Sequence, residues 1–194
     1  MFFAFRPSSQ AIDCFVEQSR ELPLSYSPVG LVRNAGWRRV DELTITIGHG
    51  AADFERARAA LAAWKHFDVG WVELYPRDAS VEPGTVAAVL IRHLGFWSLN
   101  GCRVVYGLGD RDRGASFGYA YGTLTNHAEA GEELFDVSLD PASAEVTYRI
   151  RAVSWPHAAL TRIGYPITRV LQARFRRDSA EAMRRATRGQ ESER

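Results

Sequence analysis

Apolar residues follow two rhythms along this chain, and each change of rhythm marks an element. Leu43, Ile45 and Ile47 alternate with Thr44 and Thr46, the two-residue period of a half-buried strand. Gly48-His49-Gly50 stops that run, and Asp53 is placed to cap a helix through its carboxylate. Phe54, Ala57, Leu61 and Trp64 then recur at spacings of three and four, one apolar stripe of an amphipathic helix that Asp68 and Gly70 close. After it the short period returns, and strands are predicted over 71–75, 85–92, 95–99, 103–108, 115–124, 132–139 and 145–153. Pro83-Gly84 and Asp140-Pro141 supply turns, and Asn100-Gly101 is the strongest hairpin dipeptide in the chain. The last segment, from about 156 to 188, is helical, with Ile163, Ile167, Val170, Leu171, Phe175 and Met183 at helical spacing. Pro166 is expected to kink or divide it.

Before residue 41 the pattern is broken by Pro7, Pro23 and Pro28. Ile12, Phe15 and Val16 suit one short helical turn, while Tyr26, Val29, Gly30, Gly36 and Trp37 suit an extended segment laid over the domain. The chain thus divides into an N-terminal extension at 1–40, one domain at 41–188 and a frayed polar tail at 189–194. Short strands joined by tight turns pair antiparallel, because parallel neighbours need crossover helices. The expected fold is α+β: a curved antiparallel sheet of about six or seven strands wrapped around a long C-terminal helix. That element order resembles the helix-grip proteins of the START-like and polyketide-cyclase-like superfamily, a likeness of architecture and not of activity.

A second resemblance rests on particular residues. Gly48-His49-Gly50 precedes the helix of Phe54, Ala57, Leu61 and Trp64, and Gly70-Trp71 follows it. Cys102-Arg103-Val104-Val105-Tyr106 and Gly118-Tyr119-Ala120-Tyr121-Gly122-Thr123-Leu124 are more specific. His127, Gly131-Glu132-Glu133, Phe135, Ser154, Pro156, Gly164-Tyr165-Pro166 and Gln172 continue the set. Across most of its length the chain is similar to a family of bacterial and plant proteins grouped as a domain of unknown function. That family often has Pro-Gly before the histidine, where this chain has Thr125-Asn126. The likeness implies an intact domain and brings no chemistry with it.

Composition narrows the class. With 46% apolar and 11% aromatic residues the chain is not a disordered one. No apolar run approaches the roughly 20 residues of a membrane span, and the opening Met-Phe-Phe-Ala-Phe is too short for a secretory signal, so a cytoplasmic location is expected. Cys14 and Cys102 read as reduced thiols, Cys102 as a small buried hydrophobe. Net charge is +1, but residues 151–194 carry ten Arg against four acids. A solvated helix face explains that excess better than nucleic-acid binding, since no aromatics interleave with it.

The candidate chemistry is sparse. Tyr119, Tyr121 and Phe117 share one strand face; Gly118, Ala120 and Gly122 share the other, leaving room for the terminal helix or a ligand to approach the backbone. His127 near Glu132 and Glu133 is a possible acid–base set, although neighbouring glutamates on a strand point to opposite faces and only one can join the histidine. The alternative is that a glutamate accepts backbone hydrogen bonds. Arg149 and Arg151 share a face that alternation of Val146, Tyr148, Ile150 and Ala152 assigns to the outside. Gly48-His49-Gly50 does not make a phosphate-binding turn, because Asp53 would repel phosphate and no parallel unit follows. The five histidines show neither helical pairing nor clustering with Cys, so no metal site and no cofactor are expected.

The leading expectation is a cavity between sheet and terminal helix that takes a hydrophobic or amphipathic small molecule. Its ligand-binding residues would be Arg103, Tyr106, Tyr119, Tyr121, His127, Tyr148 and Tyr165, with Trp64 and Phe135 in the walls and Arg103, His127 and Glu132 as polar contacts. The alternatives are an enzyme of cyclase, hydrolase or isomerase type with His127 as base, and an interaction protein using its Arg-rich final helix.

Overall fold

The computed structural model describes residues 1–36, 38–109, 115–156 and 165–188, and the backbone alone at 165 and 166. Trp37, the centre of the 109–114 loop, His157, Ile163, Gly164, the Tyr165 side chain and the tail lie outside the described residues. Eight strands form one sheet: β1 (Phe2–Phe3), β2 (Asp41–His49), β3 (Val72–Tyr75), β4 (Val86–His93), β5 (Phe96–Leu108), β6 (Ser116–Thr123), β7 (Glu129–Leu139) and β8 (Glu145–Pro156). Their order is β2-β8-β7-β6-β5-β4-β3, with β1 added on β5, and every pairing is antiparallel. Among the described residues three α-helices accompany them: α1 (Ser9–Ser19), α2 (Gly50–Ala62) and α3 (Tyr165–Arg188). This is the helix-grip architecture expected from the alternating pattern, a curled antiparallel sheet holding a C-terminal helix.

The inner face of the sheet carries the main core. Phe117, Tyr119, Phe135, Val137, Tyr148 and Ile150 pack there against Phe54, Leu61 and Trp64 of the α2 region and Met183 of α3. Burying such a set is the dominant favourable term, about 1.5–3 kcal/mol for each large apolar side chain. Asp53 is not the helix cap itself. Helix α2 begins at Gly50, so Asp53 sits in its first turn and its carboxylate reaches back to accept the His49 N–H at 2.7 Å. Helix α3 begins at Tyr165, so Pro166 lies in its first turn, where no backbone donor is needed; the expected helical stretch before it lies outside the described residues.

Asn100-Gly101 is not a turn. It lies buried in mid-strand, where Gly101 pairs with Ala88 and the Asn100 amide donates to the Val89 carbonyl at 3.3 Å. The hairpin turns at Leu94-Gly95 instead, both residues adopting the positive φ that a tight two-residue turn demands (50° and 80°). What was expected as two short strands is therefore one strand of 13 residues.

The outer face is covered by the N-terminal segment. Ser8 caps α1, whose Ile12, Phe15 and Val16 bury against Ala88, Leu90 and Leu99, so the expected short turn is a full helix. Tyr26, Leu31 and Val32 then pack on Ala120, Leu134 and Val153. The small face of β6 admits this segment, neither a terminal helix nor a ligand: a Cβ on Gly122 would lie 2.4 Å from the Tyr26 hydroxyl. One carboxylate fastens it. Glu132 accepts hydrogen bonds from the Tyr26 hydroxyl (2.8 Å), the Tyr106 hydroxyl (2.6 Å) and the N–H groups of Gly30 (2.8 Å) and Val32 (3.2 Å).

Removing that acceptor leaves four donors without their partner, so Glu132→Ala is expected to cost about 3 kcal/mol. Urea unfolding measures the loss. Amide exchange should rise at Gly30 and Val32 while the inner strands keep their protection, and unchanged exchange at both amides would contradict this role.

Candidate functional site

A cavity of about 170 Å³, partly open to solvent, lies between the inner face of the sheet and the first half of α3. Two kinds of surface line it. One side is apolar, formed by Phe67, Trp71, Val89, Ile91, Leu171 and Phe175. The other is polar, formed by Glu129 and Glu133 of β7, Ser154 of β8, His127 and, from α3, Gln172 and Arg176. Strand alternation places Glu129, Gly131 and Glu133 on one face of β7, and one helical turn separates Gln172 from Arg176, so both pairs project into the same space. Gly131 is required between the glutamates, because a Cβ there would lie 2.1 Å from the Val153 carbonyl oxygen.

The two glutamates are hydrogen-bonded but poorly solvated. Gln172 bridges Glu129 (2.7 Å) and the Ser154 hydroxyl (2.8 Å), and the Tyr121 hydroxyl donates to Glu133. Each keeps some surface toward the cavity, yet protein surrounds both. Loss of water pushes each carboxyl up to about 7, against the partial opposition of Gln172 and Arg169 at Glu129 and of Tyr121 and Arg176 at Glu133. Behind them Asp41 is held low by its hydrogen bonds from Arg169, with Arg176 at 4.0 Å from the same carboxylate.

The structure brings Tyr121, His127 and Glu133 to this cavity and sends the other expected residues that it describes elsewhere; the Tyr165 side chain lies outside the described residues. The Nδ1 of His127 lies within hydrogen-bond distance of both backbone groups of Glu129 (2.9 and 3.0 Å). Glu132 borders the cavity, but its carboxylate serves the outer face, as does Tyr106. Arg103 is not a ligand contact, because its guanidinium donates to the carbonyls of Arg20 (2.7 Å) and Leu22 (3.0 Å) and so secures the chain after α1. Tyr119, Tyr148, Trp64 and Phe135 are closed core: the Tyr148 hydroxyl meets Ser179 at 2.8 Å, and Tyr119 lies 3.3 Å from the Nε2 of His66. Complete burial presses His66 down to about 3 and keeps its ring neutral. Arg149 pairs with Asp136 at 2.9 Å and Arg151 with Glu42 at 3.3 Å. On α3, Arg169 and Arg176 attend Asp41, and Arg174 lies over the Trp71 ring. Glu129 and Arg176 have no place in the sequence reading and Gln172 enters it only as part of the family resemblance, although continuing the alternation back from Phe135 through Glu133 and Gly131 reaches Glu129. Among the described residues no group of His, Cys, Asp and Glu could hold a metal ion, and no helix is long and apolar enough to cross a membrane.

A curled antiparallel sheet gripping a C-terminal helix, with a mixed cavity between them, defines a helix-grip protein. The chain belongs to the family of the domain of unknown function DUF1990, whose model matches residues 25–182. A UPF0548 protein of Dictyostelium discoideum is 34% identical over 206 residues, covering 96% of this chain and 95% of that one. A UPF0548 protein of Deinococcus radiodurans is 32% identical over 201 residues, covering 96% and 98%. Among solved structures, TTHA0849 from Thermus thermophilus superposes with a TM-score of 0.53 at 9% identity, covering 79% of this chain and all (100%) of that one, a likeness of fold alone.

Raised carboxyls make stability depend on pH with a definite sign. Unfolded, Glu129 and Glu133 lose their protons near 4.5; folded, they keep them to about 7. Each therefore adds stability in acid that disappears as pH climbs through 7. Measured by thermal melts, wild type should lose stability relative to the double variant Glu129→Gln/Glu133→Gln as pH rises from about 5 to about 8, by on the order of a few kcal/mol. A constant difference across that range means that neither carboxyl is perturbed.

Proposed function

We propose that this protein binds a small apolar or amphipathic molecule in the cavity between its sheet and C-terminal helix. The observation that carries the reading is a cavity with aromatic walls on one side and fixed polar groups on the other, in a fold whose remaining inner face is closed core. At about 170 Å³ the space suits a body of one ring. For comparison, an apolar cavity of about 150 Å³ accommodates benzene. Phe67, Trp71 and Phe175 supply contact for such a ring, while Gln172, Ser154 and the two glutamates are held by hydrogen bonds that fix where a polar substituent sits.

An acid–base reading is favoured by a different set from the one the sequence suggested. Glu129 and Glu133, each poised near neutrality and facing the cavity, suit proton transfer better than Glu132, whose carboxylate is committed on the outer face.

A panel of single-ring and short-chain compounds, screened by thermal shift and native mass spectrometry, tests the binding reading. Binders are expected to raise the melting temperature of wild type, adding about 2.7 kcal/mol of stability at a hundredfold excess over Kd. Ala152→Leu, which fills space at the cavity wall, should abolish the shift while leaving the fold intact. Equal shifts in both proteins would remove the cavity as the site.

A further inference from the structure

We propose that the polar side of this cavity recognises a protonated amine, so that the molecule it takes is a small aromatic or aliphatic ammonium compound with its charged head beside Glu129 and Glu133. This inference rests on the cavity being a ligand site and concerns which charge that site accepts.

Charge balance is the argument. The ionisable groups around the polar side come from five places: Glu129 and Glu133 on β7, Tyr121 on β6, Asp41 on β2, Arg169 and Arg176 on α3, and His127 in the turn between β6 and β7. His93 lies toward the β4 side of the cavity, and Tyr119, Tyr148 and Cys102 behind it are neutral because burial raises all three. Among the described residues three carboxyls thus face two guanidiniums, and both guanidiniums attend the same one, Asp41. Arg39 also approaches Asp41, but at 82% exposure it is screened by water. The excess negative charge falls on Glu129 and Glu133, whose nearest partners, Gln172 and Tyr121, are neutral donors.

A buried site with more carboxylates than cations, where burial penalises each charge, takes up protons near neutral pH, as both glutamates do. A ligand ammonium supplies the same charge and replaces that proton. A carboxylate ligand would add to the excess, and a neutral ligand would leave it standing. The walls agree with the choice, since Tyr121, Phe67 and Phe175 present rings to a cationic or benzylic body.

Benzylamine, benzyl alcohol and benzoate share one ring and differ in charge, so isothermal titration of the full chain with each isolates the charge preference. Benzylamine, which stays protonated throughout, is expected to bind about tenfold more tightly at pH near 8 than near 6, because its partner carboxyls ionise across that range. Its heat should vary with the ionisation enthalpy of the buffer, the sign of a released proton. Benzyl alcohol should show no such gain, and benzoate should bind most weakly. Glu133→Gln and Glu129→Gln, each confirmed folded by its thermal melt, should flatten the pH dependence for benzylamine. Benzylamine binding no tighter than benzyl alcohol at either pH overturns the inference, as does a wild-type pH dependence in both variants or no benzylamine binding at all. If benzyl alcohol alone binds and Ala152→Leu abolishes it, the amine is wrong and the cavity stands. If benzylamine binds equally well to Ala152→Leu, both the amine site and the cavity reading fall.

Discussion

The two-residue repeat of β7 decides what each acidic side chain of this protein does. Sitting third in the sheet, the strand is paired along its length with β8 and from Glu132 to Ser138 with β6, so its register cannot slip without moving both neighbours. Glu129 and Glu133 must then face α3, and Glu132 must face away from it. A shift by one residue would carry the Glu132 carboxylate into the helix interface and leave Gly30, Val32, Tyr26 and Tyr106 without an acceptor. The same pleat that lines the cavity on one side makes a fastening on the other.

That division explains how both faces of the sheet are covered. Helices α2 and α3 close most of the inner face, and α3 changes character along its length. Its second half buries Ala180, Met183 and Thr187 in the core, while Leu171, Gln172, Phe175 and Arg176 of its first half stand over the cavity. The outer face needs its own cover, which comes from α1 and the segment after it. Arg103 and Glu132, both first considered as ligand contacts, are the polar ties of that cover: one donates to backbone carbonyls near the end of α1, the other accepts backbone amides further on.

Strand and helix periods were legible because they are properties of short stretches, and β2, β4, β6 and β8 lie close to where alternation predicts them. Asn100-Gly101 misled because its turn preference is local, whereas the structure is decided by burial on both sides of β5 and by Leu94-Gly95, a pair able to supply two positive φ angles in succession. Arg103, Tyr106, Tyr119 and Tyr148 were placed in the cavity on residue type, and type does not say which face of a strand is inward or how closely a helix covers it. Glu129 escapes the sequence reading because the alternation there starts the strand at 132, three residues late. Gln172 and Arg176 acquire meaning only once α3 is docked, which depends on contacts far apart in sequence.

The polar groups in the cavity are costly to the fold. A carboxyl held near neutrality by loss of water has surrendered part of its hydration, and an apolar residue of similar size at 129 or 133 would pack against Phe175 and Leu171 without that loss. Nothing in the sheet requires acidic side chains there: Phe135 and Val137, further along the same face of β7, are closed core. The unfavourable groups are moreover confined to the stretch of β7 that borders open space, and they are held in place by Gln172, Ser154 and Tyr121 instead of being left to find their own partners. A packing defect would not come with such a hydrogen-bonded frame. Destabilising side chains, concentrated at a cavity and oriented by their neighbours, are the feature of the fold that supports the proposed binding site.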